Sequence, residues 1–163
     1  MIRLLPLALV AALPACALQP MYAGGEQGAV VQSLRGIAVA PIEGKAGWLM
    51  RNALNDRLGR NGETTQFRLE VELDDQISGF GVRRDDAVTR ERRTLRARYR
   101  LVEAANGTVV LDATTGSDVG IDVVSSEFAT VAAENTALER LSQAVADQIV
   151  ARLALYAQRT SGQ

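Results

Sequence analysis

Residues 90–101, RERRTLRARYRL, set arginine at 90, 92, 96, 98 and 100, with Leu95, Ala97, Tyr99 and Leu101 between them. Charged and apolar side chains alternating with period two demand a strand with one face in a core and the other facing out. Such a strand needs neighbours with the same alternation and a second layer over its apolar face. The segment FRLEVELDD (67–75) is one such neighbour: Phe67, Leu69, Val71 and Leu73 fall on one side, and Arg68, Glu70, Glu72 and Asp74 on the other.

The partner on the far side follows the turn AANGT (104–108). A type I turn with Gly107 left-handed, as in a G1-bulge hairpin, pairs 104 with 108. That register sets Leu101 opposite Leu111, Tyr99 opposite Ala113, Arg100 opposite Asp112 and Arg98 opposite Thr114, and keeps the apolar side chains on one face. A two-residue Asn-Gly turn would pair Leu101 with Asp112 and mix the faces. Upstream, RGIAVAPI (35–42) reads as a short strand stopped by Pro41, and Trp48 to Arg60 as a helix with Met50, Leu54 and Leu58 at i, i+4, i+8. Asn61-Gly62 is the expected left-handed stop of that helix. A long closing helix runs from about Ser125 to Gln158, with Leu138, Leu141, Val145, Ile149, Leu153 and Tyr156 as its apolar stripe. Ser125 or Ser126 is its expected cap, with Glu127 favourable in the first turn. The predicted fold is α+β, in the order β-α-β-β-β-α. It is a two-layer sandwich in which two helices cover one face of a mostly antiparallel four-stranded sheet.

The chain has 163 residues, 47% hydrophobic and 23% charged, with net charge −1, which suits one folded domain. The neutral total conceals a local excess: arginines at 83, 84, 90, 92, 93, 96, 98 and 100 stand against Asp85, Asp86 and Glu91 in the same stretch. Lys45 is the single lysine; there is no histidine, and Cys16 is the single cysteine. That leaves little material for metal, nucleophile or acid–base chemistry. The doublets Asp74-Asp75 and Asp85-Asp86 do not converge, because adjacent strand residues point to opposite faces. The expectation is a protein without catalytic residues, metal or cofactor. A net charge of −1 also disfavours nucleic acid, as does the export signal at the N-terminus described next.

The N-terminus carries Arg3 and then LLPLALVAALPA, an apolar run of twelve that is too short to span a bilayer. It ends in LPAC (13–16), which resembles a lipobox, the site where a bacterial signal peptide is cut before a lipidated cysteine. The implied plan is a signal peptide (1–15), lipidated Cys16 with a tether (16–34), one domain (35–158) and a short tail (159–163). Ala17 in place of Asp after the cysteine, by resemblance to sorted lipoproteins, favours the outer membrane. The tether of about 18 residues reaches at most roughly 60 Å, a short leash that favours work close to the membrane.

In their order, CALQPMY after the lipobox, the β-α start, the hairpin RARYRLVEAANGTVVL and the long closing helix resemble the LptE lipopolysaccharide-assembly lipoprotein family over about residues 16–156. The resemblance implies a lipid-anchored protein on the periplasmic side of the outer membrane. It would plug the lipopolysaccharide-assembly β-barrel LptD and contact lipopolysaccharide (LPS), without enzymatic activity. LPS carries phosphates, which arginine grips in bidentate fashion. The candidate LPS-binding residues are therefore Arg83, Arg84, Arg90, Arg92 and Arg96. For Arg98 and Arg100 a cross-strand ion ladder with Glu70, Glu72, Asp74 and Asp112 competes with that role, and both readings stay open. Arg93 is grouped with Arg90 and Arg92 as an anion contact, but its odd parity means that it points elsewhere or marks a bulge. Family members can carry a basic residue near the start of the last helix, whereas FATVAAENTALER has none before Arg140. Val102 and Val110 are expected to face outward at the hairpin tip, and Trp48 to pack at its helix start. The competing reading is a different envelope lipoprotein, an accessory of a cell-wall synthase or of a transporter.

Overall fold

The computed structural model describes residues 34–59, 65–82 and 88–161. Its elements are β1 (Ile37–Val39), α1 (Gly44–Leu58), β2 (Phe67–Val82), β3 (Val88–Glu103), β4 (Val109–Asp122) and α2 (Glu127–Ser161). The four strands form one sheet in chain order, β1-β2-β3-β4. β1 runs parallel to β2, and the other neighbours are antiparallel. The sheet is thus mixed and mostly antiparallel, with α1 over β1 and β2 and α2 over β3 and β4.

Alternation in β3 fixes which face meets the helices. Leu95, Ala97, Tyr99 and Leu101 are buried with Leu69 and Val71 of β2, beneath Leu138, Leu141, Val145, Ile149 and Leu153 of α2. Met50, Leu54 and Leu58 of α1 complete the core at the expected spacing. Leu34, which the sequence places at the end of the tether, is also buried there. The helices run parallel: Lys45 Nζ donates to Asn135 Oδ1 at 2.6 Å, and Arg57 Nε to Asp147 Oδ1 at 2.5 Å, the same offset along both chains. On β4, Thr115 Oγ1 bonds Gln148 Oε1 and ties that strand to α2.

Several boundaries differ from the sequence reading. α1 begins at Gly44 and ends at Leu58, with Gly59 at φ 80° as its stop. Asn61 and Gly62, the expected stop, lie outside the described residues. Trp48 does not pack at the helix start but is 64% exposed. The inward position is its neighbour Gly47, where a Cβ would come within 2.5 Å of the Ile42 carbonyl oxygen. That close approach of the chain to α1 turns the indole out. α2 starts as expected, with Ala129 N donating to Ser126 Oγ at 3.4 Å. The β3–β4 turn is one residue wider than expected: Glu103 N donates to Thr108 O at 2.9 Å, in place of a 104–108 pair, and Gly107 takes φ 73°. The partner of β3 then jumps from Val109 at Val102 to Leu111 at Leu101, so Val110 is the extra residue of a bulge. This bulge absorbs the wider turn, and the four pairs expected below it all form. It also removes both valines from the tip: Val102 is buried and Val110 half-buried, while Val109 is exposed.

Leu95 is fully buried under α2, so Leu95→Ala should lower unfolding free energy by about 2–5 kcal/mol. Trp48→Ala should stay within about 0.5 kcal/mol. Urea denaturation of the two variants checks both.

Candidate functional site: the charged face of the sheet

The sheet face turned away from the helices carries the charge. Its cross-strand rungs, from the hairpin outward, are Glu70–Arg100–Asp112, Glu72–Arg98–Thr114, Asp74–Arg96–Gly116, Gln76–Thr94–Asp118, Ser78–Arg92–Gly120 and Phe80–Arg90–Asp122. Arg98 and Arg100 are ladder members. Arg98 makes a two-point contact with Asp112 (3.2 and 2.8 Å), and Arg100 lies 3.2 Å from Glu70 and 3.7 Å from Glu72. The Arg98 hydrogen bonds hold the Asp112 carboxyl below its usual range and raise the Arg98 guanidinium.

The arginines that outnumber the acids of their own stretch find partners on β4. Arg90 Nε bonds Asp122 Oδ1 at 2.9 Å, and Arg92 lies 3.7 Å from Asp118. The Arg92 guanidinium also sits 5.4 Å from the Phe80 ring centroid, a cation–π contact. All four of these charged side chains are largely in water, so the pairs are weak and exchangeable. Arg96 differs. Its β2 neighbour Asp74 is engaged by Gln76 Nε2 (3.0 and 3.3 Å), and its β4 neighbour is a glycine. Arg96 is exposed and has no ion-pair partner among the described residues. It borders a shallow cleft of about 270 Å³ with Thr94, Thr114, Gly116 and Asp118. Arg83 and Arg84 lie outside the described residues, as does Cys16.

Arg93 resolves its odd parity by pointing to the helix side, where it is 9% exposed. Its Nε and Nη2 donate to the Asp75 carboxylate at 2.8 and 2.5 Å, and its Nη1 donates to the Glu134 carbonyl of α2 at 2.8 Å. The bond to Asp75 raises the guanidinium pKa further. This guanidinium props the first part of α2 on the sheet and is closed to a ligand. It therefore does not stand in for the basic residue that the helix start lacks. Parity alone could have found the strut, because Asp75 and Arg93 both continue the apolar rows of their strands.

Removing either partner of the strut leaves an unpaired charge beneath the helix, so Arg93→Leu should cost roughly 3 kcal/mol. Arg98→Gln should barely move the melting temperature. A pH effect follows at the α1–α2 contact. The hydrogen bond from Arg57 holds the Asp147 carboxyl below its usual value. A carboxyl depressed in the folded state contributes stability above its unfolded pKa of about 4 and loses it as pH falls through the lower folded value. Asp147→Asn should therefore flatten the fall in melting temperature between about pH 5 and pH 3 relative to the parent.

Residues 34–153 match the LptE (lipopolysaccharide-assembly) family. Among solved structures, a lipoprotein from Caulobacter crescentus CB15 is 28% identical with a TM-score of 0.69, covering 82% of this chain and 98% of that one. Rare lipoprotein B from Shewanella oneidensis (10% identity, TM-score 0.56, 77% and 96% covered) shares the fold. So does lipoprotein B from Nitrosomonas europaea (12%, TM-score 0.58, 75% and 82%). No curated protein is matched by the sequence. With more than half of its length matched, including every strand of the charged face, this chain belongs to the LptE lipopolysaccharide-assembly family.

Proposed function

We propose that this protein is an outer-membrane lipoprotein that plugs the LPS-assembly barrel LptD and holds LPS during its passage to the outer leaflet. It is anchored on the periplasmic side by lipid on Cys16, and its action is binding without a chemical step. The observation that carries the reading is the uncovered face of the sheet, where five of the six rungs carry an arginine and five carry an acid. A plug has to face a polar barrel lumen, and a rigid face of exposed charge suits that contact better than an apolar one. The lipoprotein relatives and the LPAC motif support the anchor. Arg83, Arg84, Arg90, Arg92 and Arg96 are the proposed LPS contacts. For Arg90 and Arg92, a phosphate would displace Asp122 and Asp118 from exposed, weakly held pairs.

The Cys16→Ser chain should still copurify with a large β-barrel, because a plug is held through protein surface. Recovery of a periplasmic enzyme in place of a barrel would overturn the assignment in favour of a cell-wall accessory role. Replacing Arg90 and Arg92 together by Ala should weaken LPS binding at low salt and leave the melting temperature nearly unchanged. The loss should shrink at high ionic strength, where exposed charges are screened. Undiminished LPS affinity at low salt would make these two arginines structural.

A further inference from the structure

We infer that the cleft at Arg96 is a subsite for a single phosphoryl group carried on a hydroxylated ring. The inference rests on the LPS reading above only for the source of that phosphate. Along β3, nature of partner separates the outward arginines. Arg90, Arg92, Arg98 and Arg100 each have a carboxylate from β2 or β4 within ion-pair range, and Arg96 has none among the described residues. An arginine held in this state keeps its donors for an external anion, and a phosphoryl group accepts two of them at once.

The cleft is built around that side chain. Gly116 stands opposite Arg96, and a Cβ there would lie 3.1 Å from Arg96 Cγ and 3.0 Å from the Leu95 carbonyl oxygen. A bare glycine thus leaves the space in which the arginine stem lies and the floor over which a ligand can approach. On the adjoining rungs, the hydroxyls of Thr94 and Thr114 have no side-chain partner among the described residues, so both can donate to phosphate oxygens. Asp118, opposite Thr94 and only loosely paired with Arg92 at 3.7 Å, supplies the acceptor that a phosphate cannot use but a neighbouring ring hydroxyl can. One guanidinium, two hydroxyl donors and one carboxylate form a set for one phosphate on a sugar. Among the described residues no aromatic side chain lines the cleft to stack on a base.

The test uses the full chain in detergent, with LPS immobilised on a surface. Arg96→Gln should lower affinity about tenfold, the loss of one charge-assisted contact. Arg98→Gln, the same change in charge one rung away, should stay within about twofold, because Arg98 is committed to Asp112. Thr114→Val, close to isosteric, should give a smaller drop without altering the melting temperature. LPS stripped of its phosphates should bind the parent more weakly than intact LPS binds Arg96→Gln, because the other arginines lose their phosphates too, and on it Arg96→Gln should lose nothing further relative to the parent. Soluble glucosamine 1-phosphate separates the sources of the phosphate. Displacement of LPS by it supports recognition of the phosphoryl sugar itself, and failure to displace supports recognition of its lipid-borne form only.

Equal losses for Arg96→Gln and Arg98→Gln would reduce the effect to general charge and overturn the cleft. Undiminished binding of Arg96→Gln, or an equal loss by it on phosphate-free LPS, would do the same. A parent chain that binds no LPS at all would overturn both the cleft and the LPS reading. A parent that binds LPS and the barrel while Arg96→Gln is unaffected overturns the cleft alone.

Discussion

A slip of one residue in β3 would carry five guanidinium groups beneath the helices and four apolar side chains into water. The register of that strand is the constraint on which the fold and the charged face both depend. It is held on one side by Leu69–Leu101 and Val71–Tyr99, and on the other by Leu101–Leu111 and Tyr99–Ala113. Burial of these pairs under two helices makes the slipped state costly at every position at once. The same register decides which acid meets which arginine, so the composition of the outer face is a by-product of core packing.

Where side-chain chemistry dictates geometry, the sequence was legible. Strand alternation, the buried stripes of both helices, the cap of α2 and four pairs of the β3–β4 register could be read from residue order alone. What escaped was decided by space and backbone. Gly47 turns Trp48 outward because the chain at Ile42 leaves no room for a side chain, and no periodicity reports such an approach. The wider turn at 104–107 and the bulge at Val110 cancel each other, so the expected pairs formed although the expected turn did not. At the candidate site, the acids that meet Arg90 and Arg92 are hard to read from residue order, because Asp122 lies at the far end of β4 and Asp118 reaches Arg92 diagonally from the Thr94 rung. Parity brings Arg93 and Asp75 to the helix side together, and only the further bond to the Glu134 carbonyl depends on how α2 lies over the sheet.

Near-neutrality of the outer face has its own meaning. Five arginines of β3 share it with Glu70, Glu72, Asp74, Asp112, Asp118 and Asp122, so little long-range field emanates from it. Attraction of an anion is then a matter of local vacancy, one rung at a time, and not of a basic patch. Such a surface discriminates by position: an acid already present must leave, or a cleft must stand open, before a phosphate can be held.

Among the described residues, the strand order β1-β2-β3-β4 leaves the fourteen residues of β4 as an edge of the sheet. An edge of this length offers a row of backbone donors and acceptors to any passing strand, including another copy of the same chain. β4 has neither Pro nor Lys, the usual guards, but it carries Asp112, Asp118 and Asp122 along one face and a glycine at 116 and 120. Docking a second β4 would crowd carboxylates of the same sign along one side of the joint. The aspartates that quiet the arginines within the sheet therefore also discourage the molecule from polymerising through its own border.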